Sequence, residues 1–212
     1  MMRITVFGAT GGIGREIAGQ AIAAGHEVTV VVRDPDRLPE PLDRAAPHAV
    51  VRLDDPSAVR AAVAGRDAVL SGLGARGRKP NGVAERLTGK ILTAMEAEGA
   101  RRLLVVSAAP VGPQPEDDPL VDRLMRKAVG AVLAEVYADL ARMEAALARS
   151  ATDWTAVRPP RLTDGPRTGA YRRVVGGTPR SGRTISRADV AHAMLALIDD
   201  PATVQQGVGV AY

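Results

Sequence analysis

The chain has 212 residues, which suits a single domain, and its 46% apolar and 25% charged residues are ordinary for a folded globular protein. It contains no cysteine, which excludes disulfides and thiolate metal sites, and its three histidines are scattered, so no metal site is predicted. The net charge is +4, and all but three of the 28 basic residues are arginine. This preference suits binding of phosphates or carboxylates, or else reflects a composition bias.

No apolar run reaches the roughly 20 residues that a membrane-spanning helix needs. The amino terminus enters a strand pattern directly and lacks the layout of a signal peptide. We therefore expect a soluble, cytoplasmic protein.

Strand and helix patterns alternate over the first 160 residues. In chain order the sequence predicts a strand at Arg3–Gly8, a helix at Gly14–Gly25, strands at His26–Arg33 and His48–Leu53, a helix at Asp55–Gly65, a strand at Asp67–Gly74, a helix at Gly82–Gly99, a strand at Arg101–Ala108, a loop at Pro110–Pro119, a long helix at Val121–Ser150 and a strand at Asp153–Pro160. Such alternation requires a parallel sheet that is covered by helices on both faces. The predicted fold class is therefore α/β, with a Rossmann-like doubly wound sheet.

The last fifty residues are less regular. They predict a strand at Arg183–Ser186, a helix at Arg187–Asp200 that Ser186 caps, and a strand at Gly207–Tyr212. We predict one domain over residues 1–212, with a nucleotide-binding core at 1–158 and a small substrate-side lobe at 159–212.

The turn between the first strand and the first helix reads GATGGIG and places Gly8, Gly11 and Gly14 three residues apart. In a nucleotide-binding turn, the first glycine permits the tight turn, the second lets a pyrophosphate approach, and the third lets the helix pack closely on the strand. The helix amino terminus then offers free N–H groups to the phosphates. The alternative is a tight turn that binds no ligand.

The second strand ends on Arg33, where many nucleotide-binding proteins place an acidic residue. An acidic residue there selects NAD through the ribose hydroxyl, whereas a guanidinium pairs with the 2′-phosphate of NADP. Arg37 offers a second cationic group. We predict NADP(H) as the cofactor; the alternative is that both arginines are simply solvated.

Five segments together resemble a known family: GATGGIG, VTVVVRDPDRL, VAGRDAVLSGLG, VVSAAP and DWTAVRPPRLTDGPRTGAY. The chain resembles atypical short-chain dehydrogenases/reductases of the NmrA-like NAD(P)H-binding type, and within them is similar to the flavin reductase (biliverdin reductase B) branch. The resemblance covers nearly the whole chain. It implies a Rossmann domain that binds NADPH and a small carboxyl-terminal substrate lobe.

The resemblance also implies cofactor-binding residues. They are Gly8, Thr10, Gly11, Gly12, Ile13 and Gly14 in the phosphate loop, Arg33 and Arg37 at the 2′-phosphate, Leu73 and Gly74 beside the nicotinamide ribose, Ser107 beside the nicotinamide, and Pro159 and Pro160 over its ring. Asp54 matches an acidic residue near the adenine, although the loop here is one residue shorter than in the family.

The main departure from the wider superfamily concerns its Tyr-x-x-x-Lys pair. Tyr137 lies on the expected helix, but Ala141 replaces the lysine that would lower the tyrosine pKa. The flavin reductase-like branch shares this loss. Ser107 and Tyr137 are the candidate catalytic residues; the alternatives are a small residue that closes a strand for Ser107 and a helix packing residue for Tyr137.

The segment from Arg158 to Arg187 contains eight arginines and a single acid, Asp164. Such a lobe suits an anionic small-molecule acceptor, or is a solvated basic surface. Nucleic-acid binding is not expected, because Tyr171 is its one aromatic residue for base stacking. The chain is expected to be a monomer or a homodimer, with the long Val121–Ser150 helix as a possible dimer face.

Three functions follow. The first is an NADPH-dependent reductase of a planar acceptor such as a flavin, a quinone or a tetrapyrrole. The second is an NADP(H)-binding redox sensor without turnover, as in some NmrA-like proteins. The third, which ranks lowest, is an epimerase or isomerase.

Overall fold

The computed structural model describes residues 1–32, 38, 42, 48–50, 55–74, 81–115 and 118–212. The strands in this part of the chain are β1 Arg3–Phe7, β2 Glu27–Val32, β3 His48–Val50, β4 Ala68–Ser71, β5 Arg102–Val106, β6 Asp153–Arg158, β7 Arg161–Thr163, β8 Arg172–Val175, β9 Thr184–Ser186 and β10 Gln206–Ala211. The α-helices are α1 Gly12–Ala23, α2 Pro56–Val63, α3 Val83–Glu98, α4 Leu120–Val132, α5 Ala134–Ala148 and α6 Arg187–Ala196. Short 3₁₀ turns lie at Ala109–Val111 and Pro201–Thr203.

Across the described ranges, the main sheet has eight strands in the order β3-β2-β1-β4-β5-β6-β10-β8. All neighbours pair in parallel except β10 and β8, which are antiparallel. From β1 the chain proceeds first to β2 and β3 on one side and then to β4 on the other. The sheet therefore has its topological switch point at β1 and β4, where doubly wound folds bind ligands. The predicted Rossmann-like fold is confirmed.

Side chains that alternate along β1 separate the two core layers. Ile4 and Val6 lie in the layer that includes α1 and α6, whereas Phe7 lies in the layer built with α2, α3 and α5. All three are fully buried. Because the side chains of a strand point alternately to opposite faces, this pattern requires helices on both sides of the sheet.

Side-chain caps fix the start of two of the described helices, α2 and α6. The Asp55 carboxylate accepts hydrogen bonds from the Ser57 and Ala58 amides at 2.9 and 3.3 Å and so caps α2, with Pro56 in the first turn. The predicted cap of α6 by Ser186 is confirmed, since its hydroxyl accepts from the Asp189 amide at 3.0 Å.

The prediction of one continuous helix over Val121–Ser150 is wrong. The helix breaks at Leu133, whose φ of −111° and ψ of 19° leave the helical region, and so forms α4 and α5. Tertiary contacts explain the break. The Asp139 side chain of α5 is buried and accepts from the Ala84 and Glu85 amides at the start of α3, which fixes the direction of α5. No proline marks the break in the sequence.

The segment 159–212 joins the main structure through two elements. β10 pairs with β6 in the main sheet, and α6 packs along α1. β7 and β8 were not predicted; β7 forms a separate two-stranded parallel sheet with β9. Among the described helices, none is long and apolar enough to cross a membrane.

Candidate functional site

The glycine-rich turn between β1 and α1 is closed by backbone packing. Gly8 adopts a positive φ of 82°, which favours glycine, and its carbonyl accepts from the Gly11 amide at 2.9 Å. A Cβ atom on Gly14 would overlap the carbonyl oxygen of Gly8, so only glycine lets α1 lie this close to the turn. These geometric roles of Gly8 and Gly14 match those predicted from the sequence.

The amino terminus of α1 carries no side-chain cap. Gly11 is the cap residue and makes no side-chain hydrogen bond, while the first backbone bond into the helix is the one from the Arg15 amide to Gly11 at 2.9 Å. The Gly12 and Ile13 amides therefore have no partner within the helix. Thr10 precedes this terminus, half-buried in the turn. Such a terminus is suited to bind an anion.

The end of β4 packs directly on this turn. A Cβ atom on Gly72 would lie 2.8 Å from the Gly14 nitrogen, so Gly72 is as constrained as the glycines of the motif. Leu73 follows, with its amide 3.4 Å from the Ser71 hydroxyl, and Gly74 is exposed at the same edge of the sheet. The structure thus brings the predicted phosphate loop and the predicted ribose loop together.

Ser107 belongs to a buried polar network that the sequence analysis missed. Its hydroxyl donates to Glu144 Oε1 at 2.5 Å. Arg158 in turn donates from Nε to Glu144 Oε1 at 3.1 Å and from Nη2 to Oε2 at 2.5 Å. The side chains of Glu144 and Arg158 are only 10% and 11% exposed, so this bidentate ion pair is largely shielded from water.

Two glycines make room for the Arg158 side chain. A Cβ atom on Gly112 would lie 2.8 Å from Arg158 Cδ, and one on Gly207 would overlap the guanidinium. The ion pair is therefore held between the turn that follows β5 and the start of β10. Such enclosure limits the positions available to Glu144 and hence to the Ser107 hydroxyl.

The network also defines what Ser107 does chemically. A serine hydroxyl has one proton and two acceptor lone pairs, and here the proton is committed to the Glu144 carboxylate. Ser107 Oγ is left to accept a hydrogen bond from a ligand N–H or O–H. It is not a proton donor to a substrate in this arrangement.

Tyr137 lies on α5, seven residues before Glu144, and therefore on the same side of the helix. Burial raises the pKa of its phenol above the ordinary value. Within the described residues no group hydrogen-bonds to its hydroxyl, and Ala141 on the next turn is exposed and uncharged. In the part of the chain that the structure describes, Tyr137 therefore lacks the lysine that lowers the pKa of a tyrosine general acid–base.

The loop after β6 is tied to the loop after β5. The Pro159 carbonyl accepts from the Ala109 amide at 2.9 Å, and the Ser107 amide donates to the Val157 carbonyl at 2.7 Å. Pro159 is buried and Pro160 half-buried. The two prolines therefore lie next to the Ser107 end of the sheet; that they cover the nicotinamide ring stays a prediction. Arg33, Arg37 and Asp54 lie outside the described residues.

The arginines at 158–187 divide into two groups. Some are engaged by neighbours: Arg158 by Glu144, Arg172 by the Arg180 and Tyr212 carbonyls, Arg173 by Asp200, and Arg187 by Asp164. Arg161 and Arg167 are exposed and have no partner in the described part of the chain. Carboxylates of the fold thus pair with Arg158, Arg173 and Arg187, whereas Arg172 is held by uncharged carbonyl groups.

A signal for Glu144 was present in the sequence. Glu144 lies among Leu140, Met143 and Leu147, on the side of α5 that is partly or fully buried. A carboxylate on an apolar helix face needs a partner, because burial of an unpaired charge is costly. Its partner is Arg158 at the end of β6, which the sequence analysis counted among the arginines of the segment 158–187.

Comparison with known proteins agrees with this geometry. Residues 8–201 match the family model described as NAD(P)H-binding. A 3-diazoavenalumate denitrifying reductase from Streptomyces sp is 39% identical over 138 residues, which cover 56% of this chain and 44% of that protein. The chain thus spans less than half the length of this curated relative.

Two solved structures share the fold. A short-chain dehydrogenase/reductase from Veillonella parvula in complex with NADP has a TM-score of 0.81 at 18% identity, covering 100% of this chain and 94% of that one. ChuY from Escherichia coli O157:H7, described as an anaerobilin reductase, has a TM-score of 0.79 at 22% identity, covering 99% of this chain and 96% of that one.

The residues present fit a dinucleotide. The uncapped amides at the start of α1 suit a pyrophosphate. With the family model matched over residues 8–201, the chain belongs to the NAD(P)H-binding family.

Proposed function

We propose that this chain is an NADPH-dependent reductase that transfers hydride to a planar small-molecule acceptor such as a flavin, a quinone or a tetrapyrrole-like compound. The observation that supports this most is the buried network of Ser107, Glu144 and Arg158 at the carboxyl edge of β5 and β6. The network lies at the edge of the sheet that also carries the phosphate loop, and it presents one oriented oxygen there. When bound, the nicotinamide supplies the hydride.

The acceptor class follows from the absence of an acid among the candidate catalytic residues. Reduction of a ketone or aldehyde produces an alkoxide, which requires a proton from the enzyme. Here the Ser107 proton is committed to Glu144, and burial keeps the pKa of Tyr137 high without a neighbouring lysine. Flavins and quinones fit this site better, because delocalisation stabilises their reduced anions until water protonates them.

An anionic acceptor is supported by the exposed arginines of the 159–212 segment. Arg161 and Arg167 present guanidinium groups to solvent, and these attract phosphates and carboxylates. The proposed preference for NADPH over NADH rests on the position of Arg33 after the second strand and of Arg37 four residues later in the sequence.

The test is steady-state oxidation of NADPH by the purified chain with FMN, a quinone and a tetrapyrrole as separate acceptors. The Streptomyces relative is named for 3-diazoavenalumate, so that compound belongs in the same panel. We expect turnover with at least one planar acceptor and none with simple ketones. Turnover with ketones alone would contradict the argument from the missing acid.

A second candidate function is a redox sensor that binds NADP(H) without turnover. The observation in its favour is Tyr137, whose pKa is raised and whose expected lysine is Ala141. A sensor would bind NADPH in the same titration but oxidise it with none of the acceptors. An epimerase or isomerase ranks below both, because that chemistry relies on the complete Tyr-x-x-x-Lys pair.

A further inference from the structure

Arg187, the first residue of α6, lies directly on the amino terminus of α1. A Cβ atom built on Gly12 would be 2.6 Å from Arg187 Cδ and 3.0 Å from its Nε. The two helices pack along each other, and the Gln20 side chain of α1 donates to the Ala188 carbonyl at 2.9 Å. Glycine at position 12 thus admits the arginine side chain to the first turn of α1.

This position is electrostatically unfavourable in the absence of an anion. The amino terminus of a helix carries a partial positive charge, and the Gly12 and Ile13 amides there have no partners within the helix. A guanidinium beside it adds a second positive group. An anion bound between the two groups removes the repulsion, and a phosphate accepts hydrogen bonds from both.

Asp164 holds the guanidinium in the structure, but loosely. Arg187 Nη1 donates to Asp164 Oδ1 at 2.5 Å, while the Asp164 side chain is 87% exposed and that of Arg187 31% exposed. An ion pair with one partner this exposed is weak, because water competes for both charges. A doubly charged pyrophosphate in a partly enclosed site competes well against it.

We propose that Arg187 is a cofactor-binding residue that exchanges Asp164 for the pyrophosphate of the bound dinucleotide. The proposal rests on cofactor binding as assumed in the proposed function. In this proposal the pyrophosphate is bound by two sets of groups. The glycine-rich turn supplies backbone amides, and the 159–212 segment supplies the guanidinium of Arg187. The proposal also implies that Asp164 competes with the cofactor for this arginine.

The test measures equilibrium binding of NADPH and NADH by fluorescence titration to the wild type, Arg187→Gln and Asp164→Asn. Arg187→Gln is expected to weaken both cofactors by about tenfold to a hundredfold, because both contain the pyrophosphate and a hydrogen bond between charged groups is lost. Asp164→Asn is expected to tighten both several-fold. Adenosine 2′-monophosphate lacks the pyrophosphate. Its dissociation constant, measured by competition with NADPH, should therefore be the same for all three proteins.

Arg149→Gln is the matched control. Arg149 is exposed and follows α5 immediately before β6, at the edge of the sheet opposite to the turn, so its removal changes the net charge equally. The cofactor affinity of Arg149→Gln should match that of the wild type at every salt concentration. The cofactor affinity of Arg187→Gln should fall less steeply than that of the wild type as the salt concentration rises.

Unchanged affinity of Arg187→Gln for both cofactors, with the wild type binding normally, would overturn the role of Arg187 and leave the proposed function intact. Failure of the wild type to bind either cofactor would instead overturn the proposed function. If Arg187→Gln does not fold, Asp164→Asn decides, since its side chain is exposed; an affinity that is unchanged or weaker there refutes the exchange.

Discussion

Glu144 is a carboxylate on the buried side of a helix, and its role depends on side chains from two different strands. Arg158 from β6 neutralises it with two hydrogen bonds, and Ser107, just beyond β5, donates the third. Its position on an apolar helix face can be predicted from sequence, but its partners cannot, because they lie 37 and 14 residues away along the chain.

Glu144→Ala is expected to lower the free energy of unfolding by about 3–5 kcal/mol, since it leaves the Arg158 charge buried without a partner. Urea denaturation at neutral pH measures this. Glu135→Ala removes an exposed carboxylate from the same helix and should cost no more than about 1 kcal/mol. Equal small losses in both variants would show that the network contributes little to stability.

Arg33→Ala tests the predicted cofactor preference. We expect the wild type to bind NADPH more tightly than NADH, and the variant to lose about 1.5–3 kcal/mol of NADPH binding, because a charged hydrogen bond to the 2′-phosphate is removed. NADH binding should remain unchanged, which makes NADH the internal control of the titration. Equal affinities of the wild type for the two cofactors would refute the NADP assignment.

At the scale of elements, the sequence predicted those whose signals are local. The GATGGIG turn, the Ser186 cap and the alternating strands all depend on residues close in sequence. The break between α4 and α5 depends instead on Asp139 reaching the start of α3. Since only Gly130 and no proline precedes it in the sequence of α4, the helical pattern predicted one helix.

Replacement of two glycines of α1 by alanine is expected to have opposite effects on stability. Gly14→Ala places a Cβ atom against the Gly8 carbonyl, so we expect a loss of about 1–3 kcal/mol in stability and loss of NADPH binding. Gly19→Ala meets no heavy atom within 4 Å and should stabilise the protein by about 0.5–1 kcal/mol through reduced backbone entropy of the unfolded chain. Thermal or urea denaturation measures the stability of both variants. If both substitutions destabilise the protein, the argument that only a side chain at position 14 clashes is refuted.

α4 bears on the oligomeric state. Its Leu120, Val121, Leu124 and Val132 side chains are each more than half exposed. Such an apolar surface is compatible with both predicted states, a monomer and a homodimer. Sedimentation measurements of the whole chain would decide it.

At the scale of the whole molecule, Tyr212 ties β10, which it follows, to α6. The Tyr212 hydroxyl donates to Asp189 Oδ2 at 2.7 Å and accepts from the Ser186 amide at 3.1 Å. Asp189 is fully buried and also accepts from the Thr168 and Gly169 amides. Burial opposes its ionisation, but these hydrogen bonds outweigh burial and lower its pKa to about 2.

A depressed carboxyl pKa stabilises the fold above the ordinary value of 3.8, and this stability is lost as the pH falls through about 2. Tyr212→Phe removes a hydrogen bond to the ionised form, so we expect a loss of about 1.5–3 kcal/mol near neutral pH that shrinks as Asp189 is protonated. Denaturation between neutral pH and pH 2 measures it.

Tyr171→Phe is the control for this prediction. The Tyr171 hydroxyl bonds to the His192 ring at 2.9 Å rather than to a carboxylate, so its loss in stability should not follow the protonation of Asp189. A difference between wild type and Tyr212→Phe that stays constant on acidification would contradict the role assigned to the Tyr212–Asp189 bond.

The sequence by itself determined the fold class, the position of the glycine-rich turn and the order of the main strands along the chain, because periodicity, glycine spacing and capping act between near neighbours. Only the tertiary structure decided what Ser107 is bonded to, where the long helix breaks and which arginines are already paired. Those features arise from contacts between residues distant in the chain, such as Ser107 with Glu144 and Arg187 with Gly12. Such contacts form only once the parallel strands have paired, because pairing places their carboxyl ends at the same edge of the sheet.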